Sequence, residues 1–174
     1  MKKIMFNDQY GLTKAVLEGR KTQTRRIIRP NSLTEYIQYP IGSIVAIAQS
    51  YKEAGVDCDF RFAPAISKEQ AKMLSGFNNK MFVKAELMPH HIKITNVRVE
   101  SLQDISEEDC LAEGLIFHPN DSPDIYYFFD NESSLWNGFN TAKKAYATLI
   151  DKVGKKGTWE SNPWVFVYEF ELID

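Results

Sequence analysis

The segment that most restricts the fold is "NPWVFVYEFELI", residues 162–173. Trp164, Phe166, Tyr168, Phe170 and Leu172 alternate with Val165, Val167, Glu169 and Glu171, a period of two that marks a strand rather than a helix. One face of that strand is almost entirely aromatic, and so bulky a row needs cover along its length. The segment therefore belongs in the middle of a small, strongly curved sheet that closes over an aromatic core.

Other segments supply partners for it. In "HIKITNVRVESL", residues 91–102, Ile92 and Ile94 share one strand phase while Val97 and Val99 share the other, which predicts a bulge near Thr95 and Asn96. "IGSIVAIAQS", residues 41–50, reads as a turn and a strand, and Met81 to Leu87 as another strand. Helices are predicted near residues 8–18, 106–113 and 132–150. Asn7 or Asp8 caps the first, and Gly19 ends it. Ser106 with Asp109 forms a capping box for the second, with Gly114 as terminator. Leu135, Trp136, Phe139, Ala142, Ala145, Tyr146, Leu149 and Ile150 recur at helical spacing in the third. Residues 51–80, with a weak helix from Ser67 to Leu74, and residues 115–135 read as excursions. The expected fold is α+β, a small curved, mostly antiparallel barrel-like sheet with flanking helices in one domain spanning residues 1–174.

Composition narrows the function classes. A chain of 174 residues with 44% hydrophobic and 25% charged residues is ordinary globular material with a real core. A formal net charge of −2 excludes coating nucleic acid through bulk charge, so a polyanionic partner has to be met by a local patch. Without an apolar run of bilayer length or a leader-like start, and with only Cys58 and Cys110 and no C-x-x-C, the expected setting is a reducing cytoplasm, with no membrane partner. Cys110 is expected on the apolar side of its short helix. His90 and His91 point to opposite faces of a strand and His118 stands apart, so no metal site is expected. No phosphate-binding glycine loop is present, and no cofactor is expected.

The local patch is "LEGRKTQTRRIIRP", residues 17–30. Arg20, Lys21, Arg25, Arg26 and Arg29 crowd into it with Thr22 and Thr24. The helix ends at Gly19, and residues 21–29 read as a loop running into a strand that Pro30 stops. A solvated surface normally mixes signs, so the stretch reads as a ligand cradle. Trp159, beside Lys155 and Lys156, either stacks a base or covers a core edge, whereas Trp136 and Trp164 read as core.

Together, "GRKTQTRR", the strand before "LQDISEEDCLAEGL" and the closing "NPWVFVYEFELI" resemble the ASCH family, whose fold is similar to the PUA-type RNA-binding barrel, and most closely its phage- and prophage-associated members. The resemblance implies association with RNA. A bacterial branch with a similar Gly-Arg-Lys-Thr-x-Thr element hydrolyses the acetyl amide on the exocyclic amine of acetylcytidine with a lysine, a threonine and a glutamate. By that resemblance the catalytic residues are Lys21, Thr24 and Glu113, and Arg20, Thr22, Arg25, Arg26, Arg29 and Trp159 contact the nucleic acid or ligand.

Such a triad makes chemical sense. Amide hydrolysis needs a nucleophile and a base, and a Thr-Lys pair supplies both when the lysine is partly neutral. Burial beside Arg20 and Arg25 would shift Lys21 that way, and Glu113 would orient Lys21 or protonate the departing amine. The pairing demands a turn between Lys21 and Thr24, since residues three apart on a regular strand face opposite sides. The expected function is recognition of RNA or a modified nucleoside, with amide hydrolysis on a pyrimidine's exocyclic amine. Against it stand a non-catalytic RNA-binding module and a phage accessory protein acting through protein contacts.

Overall fold

The aromatic C-terminal segment is a strand with neighbours on both sides. In a computed structural model, which describes residues 1–28, 37–55, 73, 75–119, 125–131 and 135–174, the strands are β1 (Lys2–Ile4), β2 (Gln23–Ile27), β3 (Ile44–Ile47), β4 (His91–Ser101), β5 (Ile116–His118), β6 (Ile125–Asp130), β7 (Leu135–Phe139) and β8 (Trp164–Leu172). The helices are α1 (Leu12–Leu17), α2 (Glu107–Ala112), α3 (Ala142–Val153) and α4 (Thr158–Ser161). Five strands form one sheet in the order β1-β3-β4-β8-β2, antiparallel except for the β1–β3 pair, and β5-β6-β7 form a second, antiparallel sheet.

β8 lies between β4 and β2, so both of its backbone edges are paired. The β4–β8 register shifts between Ile94 and Asn96, where the change of strand phase predicts the bulge. Ile92 and Ile94 are fully buried before the shift, whereas after it Val97 is half-buried and Val99 is exposed. The described strands do not close a barrel. β1 and β2 stand at opposite edges, and a side-chain hydrogen bond from Arg26 Nη2 to the Met5 carbonyl, 2.7 Å, links them where a ladder would close a cylinder.

The sheet's inner face carries Ile4, Val45, Ile47, Ile92, Ile94, Val165 and Val167, all fully buried. Helix α3 lies across this core with Ala142, Ala145, Tyr146 and Leu149 inward, the i, i+3, i+4, i+7 stripe of an amphipathic helix. Thr141 Oγ1 caps it by accepting from Lys144 N at 3.3 Å. Burying a side chain such as Leu149 contributes about 1.5–3 kcal/mol, so packing holds α3 more than propensity does. Ala46 and Ala48 face the other way into a smaller cluster with Tyr51, Val83 and Met88, which explains why β3 is apolar in both phases.

Several expectations are corrected. Residues 135–139 form a strand, and the third helix starts only at Ala142. Gly138 decides this locally: a Cβ there would stand 3.0 Å from both Ile125 Cγ2 and Tyr127 Cε1, so its absence lets β6 lie against β7. Residues 81–87 hold two single 3₁₀ turns, Lys80–Phe82 and Ala85–Leu87, in place of a strand. The first helix is shorter than predicted and begins after Gly11 with no side-chain cap, the Asn7 side chain accepting instead from Gln9 N. Trp164 is 60% exposed and Phe166 half-buried while Val165 and Val167 are fully buried, so the first half of β8 turns its valines, not its aromatic row, to the core. The helix expected over Ser67 to Leu74, together with Arg29 and Cys58, lies outside the described residues.

Candidate active site

Helix α1 delivers the chain to the site by stopping abruptly. Gly19 has φ 72°, and the amides of Arg20 and Lys21 both donate to the Ala15 carbonyl at 2.9 Å. β2 starts only at Gln23, so Lys21 is not on a strand with Thr24 and the alternation rule does not separate them. The bend falls at Gly19, before Lys21, rather than between Lys21 and Thr24 as the pairing demands, and the Thr22 carbonyl already accepts from Phe170 N at 2.9 Å. Thr22 is exposed, and its amide donates to the Ala112 carbonyl at 2.9 Å, tying the stretch to the last turn of α2.

Helix α2 supplies the carboxylate. Ser106 caps it by accepting from Asp109 N at 3.0 Å, as the capping box predicts, and Cys110 is buried inside it. Glu113 follows as C-cap and Gly114 turns away with φ 103°. A Cβ on Gly114 would sit 3.4 Å from the Cβ atoms of both Ala15 and Lys21, so glycine is what lets the end of α2 press against Lys21.

Lys21 and Glu113, 92 positions apart, meet in the interior. Lys21 Nζ donates to Glu113 Oε2 at 2.5 Å and to the Glu113 carbonyl at 2.8 Å. The other carboxylate oxygen, Oε1, accepts from Arg25 Nη1 at 3.2 Å. Arg25 is itself buried, with Nη2 at 2.6 Å from Glu100 Oε1 and 2.7 Å from Asp109 Oδ2, and Nη1 at 2.7 Å from Gln23 Oε1. Arg98 closes the outer side with bonds to Glu100, Asp109 and Glu169.

The acids missing from the basic stretch thus come from α2 and β4. Arg25 is committed to this interior cluster. Arg20 pairs with Glu18 at 2.7 Å on the surface. Arg26 has no carboxylate within ion-pair distance among the described residues.

Burial pushes the Lys21 pKa below its ordinary value, with Glu113 opposing and Arg26 and Arg25 adding to the fall. The helping charges are therefore Arg26 and Arg25, not Arg20. Burial disfavours the Arg25 charge, but Glu113 and the other acids more than offset it and its pKa is raised. The Asp109 pKa is lowered, since bonds from Arg25 and Gln23 outweigh burial. Cys110 has its pKa pushed up to about 12 by burial.

Lys21, Thr24, Arg25, Arg26 and Glu113 line one cavity of about 70 Å³, walled by apolar groups including Phe6, Leu12 and Leu149. Lys21 Nζ lies 5.9 Å from the Phe6 ring centroid. No hydrogen bond joins Lys21 Nζ to Thr24 here, and such bonds tighten when a substrate is bound. Tyr146 also faces this cavity. Its sequence signal is only that of an apolar helix stripe, which gives no hint of a site. Trp159 stands apart, half-buried in α4 with its ring edge-on to Tyr146 at 6.2 Å between centroids. It covers the core edge.

A larger cavity of about 450 Å³ lies along α1, lined by Tyr10, Lys14, Arg20, Gln49 and Phe128 among others. It holds none of the convergent groups Lys21, Thr24 and Glu113. Among the described residues no three His, Cys, Asp or Glu side chains are placed to hold a metal ion. No described helix is long and apolar enough to cross a membrane.

Comparison with known proteins adds little to this geometry. No family model matches the chain, and no curated protein matches it. Among solved structures it is similar to protein EF3133 from Enterococcus faecalis V583, assigned to the family model DUF984, at 15% identity and a TM-score of 0.49 over 100% of this chain and 81% of that one. The chain itself has a mixed α+β architecture of two sheets and four described helices.

Proposed function

We propose that the Lys21–Thr24–Glu113 site hydrolyses an amide on the exocyclic amine of a modified pyrimidine, carried by RNA or by a free nucleoside. The observation that carries this reading is the convergence of these three residues on one buried cavity, with Lys21 displaced toward its neutral form. The resemblance to ASCH proteins through "GRKTQTRR" supports the same assignment.

The hydrogen bonds define the division of labour. A neutral lysine amine has two N–H groups and one lone pair. Its two N–H groups suffice for the Glu113 carbonyl and carboxylate, which leaves the lone pair available to Thr24. Glu113, with one carboxylate oxygen held by Lys21 and the other by the Arg25 guanidinium, orients Lys21; it is less suited to protonating the leaving amine.

Lys21 takes the Thr24 hydroxyl proton as Oγ1 attacks the acyl carbon. The tetrahedral intermediate then breaks its C–N bond while the Lys21 ammonium returns the proton to the departing amine. Water attacks the resulting threonine ester, passing its proton through Lys21 to Oγ1 as the ester C–O bond breaks. The products are a carboxylic acid and the free amine.

A non-catalytic RNA-binding module is the second reading. The 2.5 Å contact between Lys21 Nζ and Glu113 favours it, because so short a contact suits a permanently charged ammonium. Incubating the protein with a panel of acylated nucleosides and separating the products by chromatography tests the choice. Release of the free base from any of them supports hydrolysis, and no release from all of them supports the module.

A further inference from the structure

The aromatic row of β8 lies on the face of the sheet that carries Thr24. Residues paired across neighbouring strands point to the same face, and the register matches Thr24 with Tyr168 and Val97, Arg26 with Phe166 and Val99, and Ser101 with Trp164. Three successive rows therefore lead from Thr24 past Arg26 to Trp164. At a rise of about 3.4 Å per residue, Trp164 stands roughly 13 Å along the strand from the row of Thr24.

Cover thins out along these rows. Tyr168 is buried, its ring edge-on to Tyr39 at 5.3 Å between centroids, and Phe166 is half-buried and tilted against Tyr168 at 6.0 Å. Trp164 is 60% exposed, and Val99, opposite Phe166, is 52% exposed. Ile28, whose amide donates to the Trp164 carbonyl at 2.9 Å, adjoins them. Trp164 is thus the open end of an aromatic row whose other end is fixed in the core. One exposed ring needs no explanation, but a contiguous apolar patch marks a contact surface.

The surroundings narrow the partner. These rows hold one cation, Arg26, and no acid. A rigid aromatic surface beside a cation suits an unpaired nucleobase and its phosphate, since every base has a π-face to stack. Trp164 is too far from Thr24 to hold the base that would react there, so a base on Trp164 belongs to a neighbouring nucleotide of the same strand.

We propose that Trp164 and Phe166 form a stacking platform for an unpaired base flanking the reacting one, with Arg26 beside the phosphate that joins them, so that the substrate is carried in single-stranded RNA. The reacting base in this inference rests on the proposed hydrolysis; the platform itself does not.

Fluorescence anisotropy of a fluorescein-labelled cytidine heptamer, prepared as RNA and as DNA, tests it with the parent, Trp164→Ala and Trp164→Phe. Loss of one stacked base weakens binding of the RNA heptamer to Trp164→Ala by about 5- to 150-fold, and Trp164→Phe, which keeps a ring, loses less. The urea midpoints of the three proteins coincide, because the ring is mostly in solvent. Binding of RNA to Trp164→Ala within about twofold of the parent, an equal loss in both variants, a loss matched by a lower urea midpoint, a loss confined to DNA, or a parent that binds no RNA heptamer overturns the platform. Hydrolysis is read separately, with the parent and free acetylcytidine. Release of cytidine without heptamer binding ends this proposal and leaves the hydrolysis reading standing, and Trp164-dependent binding without release does the reverse.

Discussion

Replacing Glu113 by Gln removes one charge, strands that of Lys21 and takes one of its partners from Arg25. Its carboxylate is the only acid partner that Lys21 has among the described residues, and one of three that Arg25 has. Removing one partner from a buried ion pair costs about 3–5 kcal/mol, chiefly for the charge left behind. Gln keeps one oxygen to accept from Lys21 or Arg25, but its amide N–H₂ must face the other cation. Glu113→Gln is therefore placed in that range, a large part of the roughly 5–15 kcal/mol total of a typical domain.

Lys21→Met is milder, because Glu113 still has Arg25 at 3.2 Å and Met fills the stem's volume. The double variant then costs less than the sum of the singles, with a coupling of about 1–3 kcal/mol. Urea unfolding of the four proteins, compared at equal m-value, gives each number. A Glu113→Gln cost below about 1 kcal/mol, a larger cost for Lys21→Met, or strict additivity refutes the idea that this pair is a buried, mutually dependent unit.

The acid limb of stability has a definite sign. Asp109 has a folded pKa below its ordinary value, so its contribution is complete above that ordinary value of 3.8 and is lost as pH falls through the folded one. Urea midpoints measured from about pH 5 down to pH 2 should fall more steeply for the parent than for Asp109→Asn in that window. Cys110, fully buried with its pKa pushed up to about 12, should escape alkylation at neutral pH in the folded protein and react once urea unfolds it, as located by peptide mass spectrometry. If the protein binds single-stranded RNA through the exposed part of the basic stretch, Arg20→Ala should lower the salt slope of binding by about one phosphate contact. Arg25→Ala should instead reveal itself as lost stability in urea unfolding.

Legibility in the sequence followed the reach of the interactions. The β4 phase change and the Ser106 cap are local signals, and each appears where the sequence puts it; β8 is a strand as its alternation predicts, but Val165 and Val167 are buried while Trp164 is exposed, because which face is covered depends on the neighbouring strands. Leu135, Trp136 and Phe139 fit helical spacing, so the sequence predicts a helix where β7 forms, and its strand state depends on pairing with β6. The basic stretch was legible as unusual but not as self-neutralised. Its acids, Glu100, Asp109 and Glu113, lie 75 to 88 positions from Arg25, and no periodicity announces such a meeting. Tyr146 shows the same limit: helical spacing predicts a buried ring but not that it lines a cavity together with Lys21 and Thr24.

Single-turnover deacylation of acetylcytidine, followed across pH for the parent and for Thr24→Val, tests the central claim most directly. The account predicts that the parent releases cytidine at a rate that rises with pH, with an apparent pKa below the ordinary lysine value of 10.5, as Lys21 loses its proton. Thr24→Val should bind the substrate within roughly tenfold of the parent and release almost nothing, because the lost group acts in the transition state. A parent inert toward acetylcytidine and every other acylated pyrimidine tried, or a Thr24→Val variant that turns over at the parental rate, would contradict it.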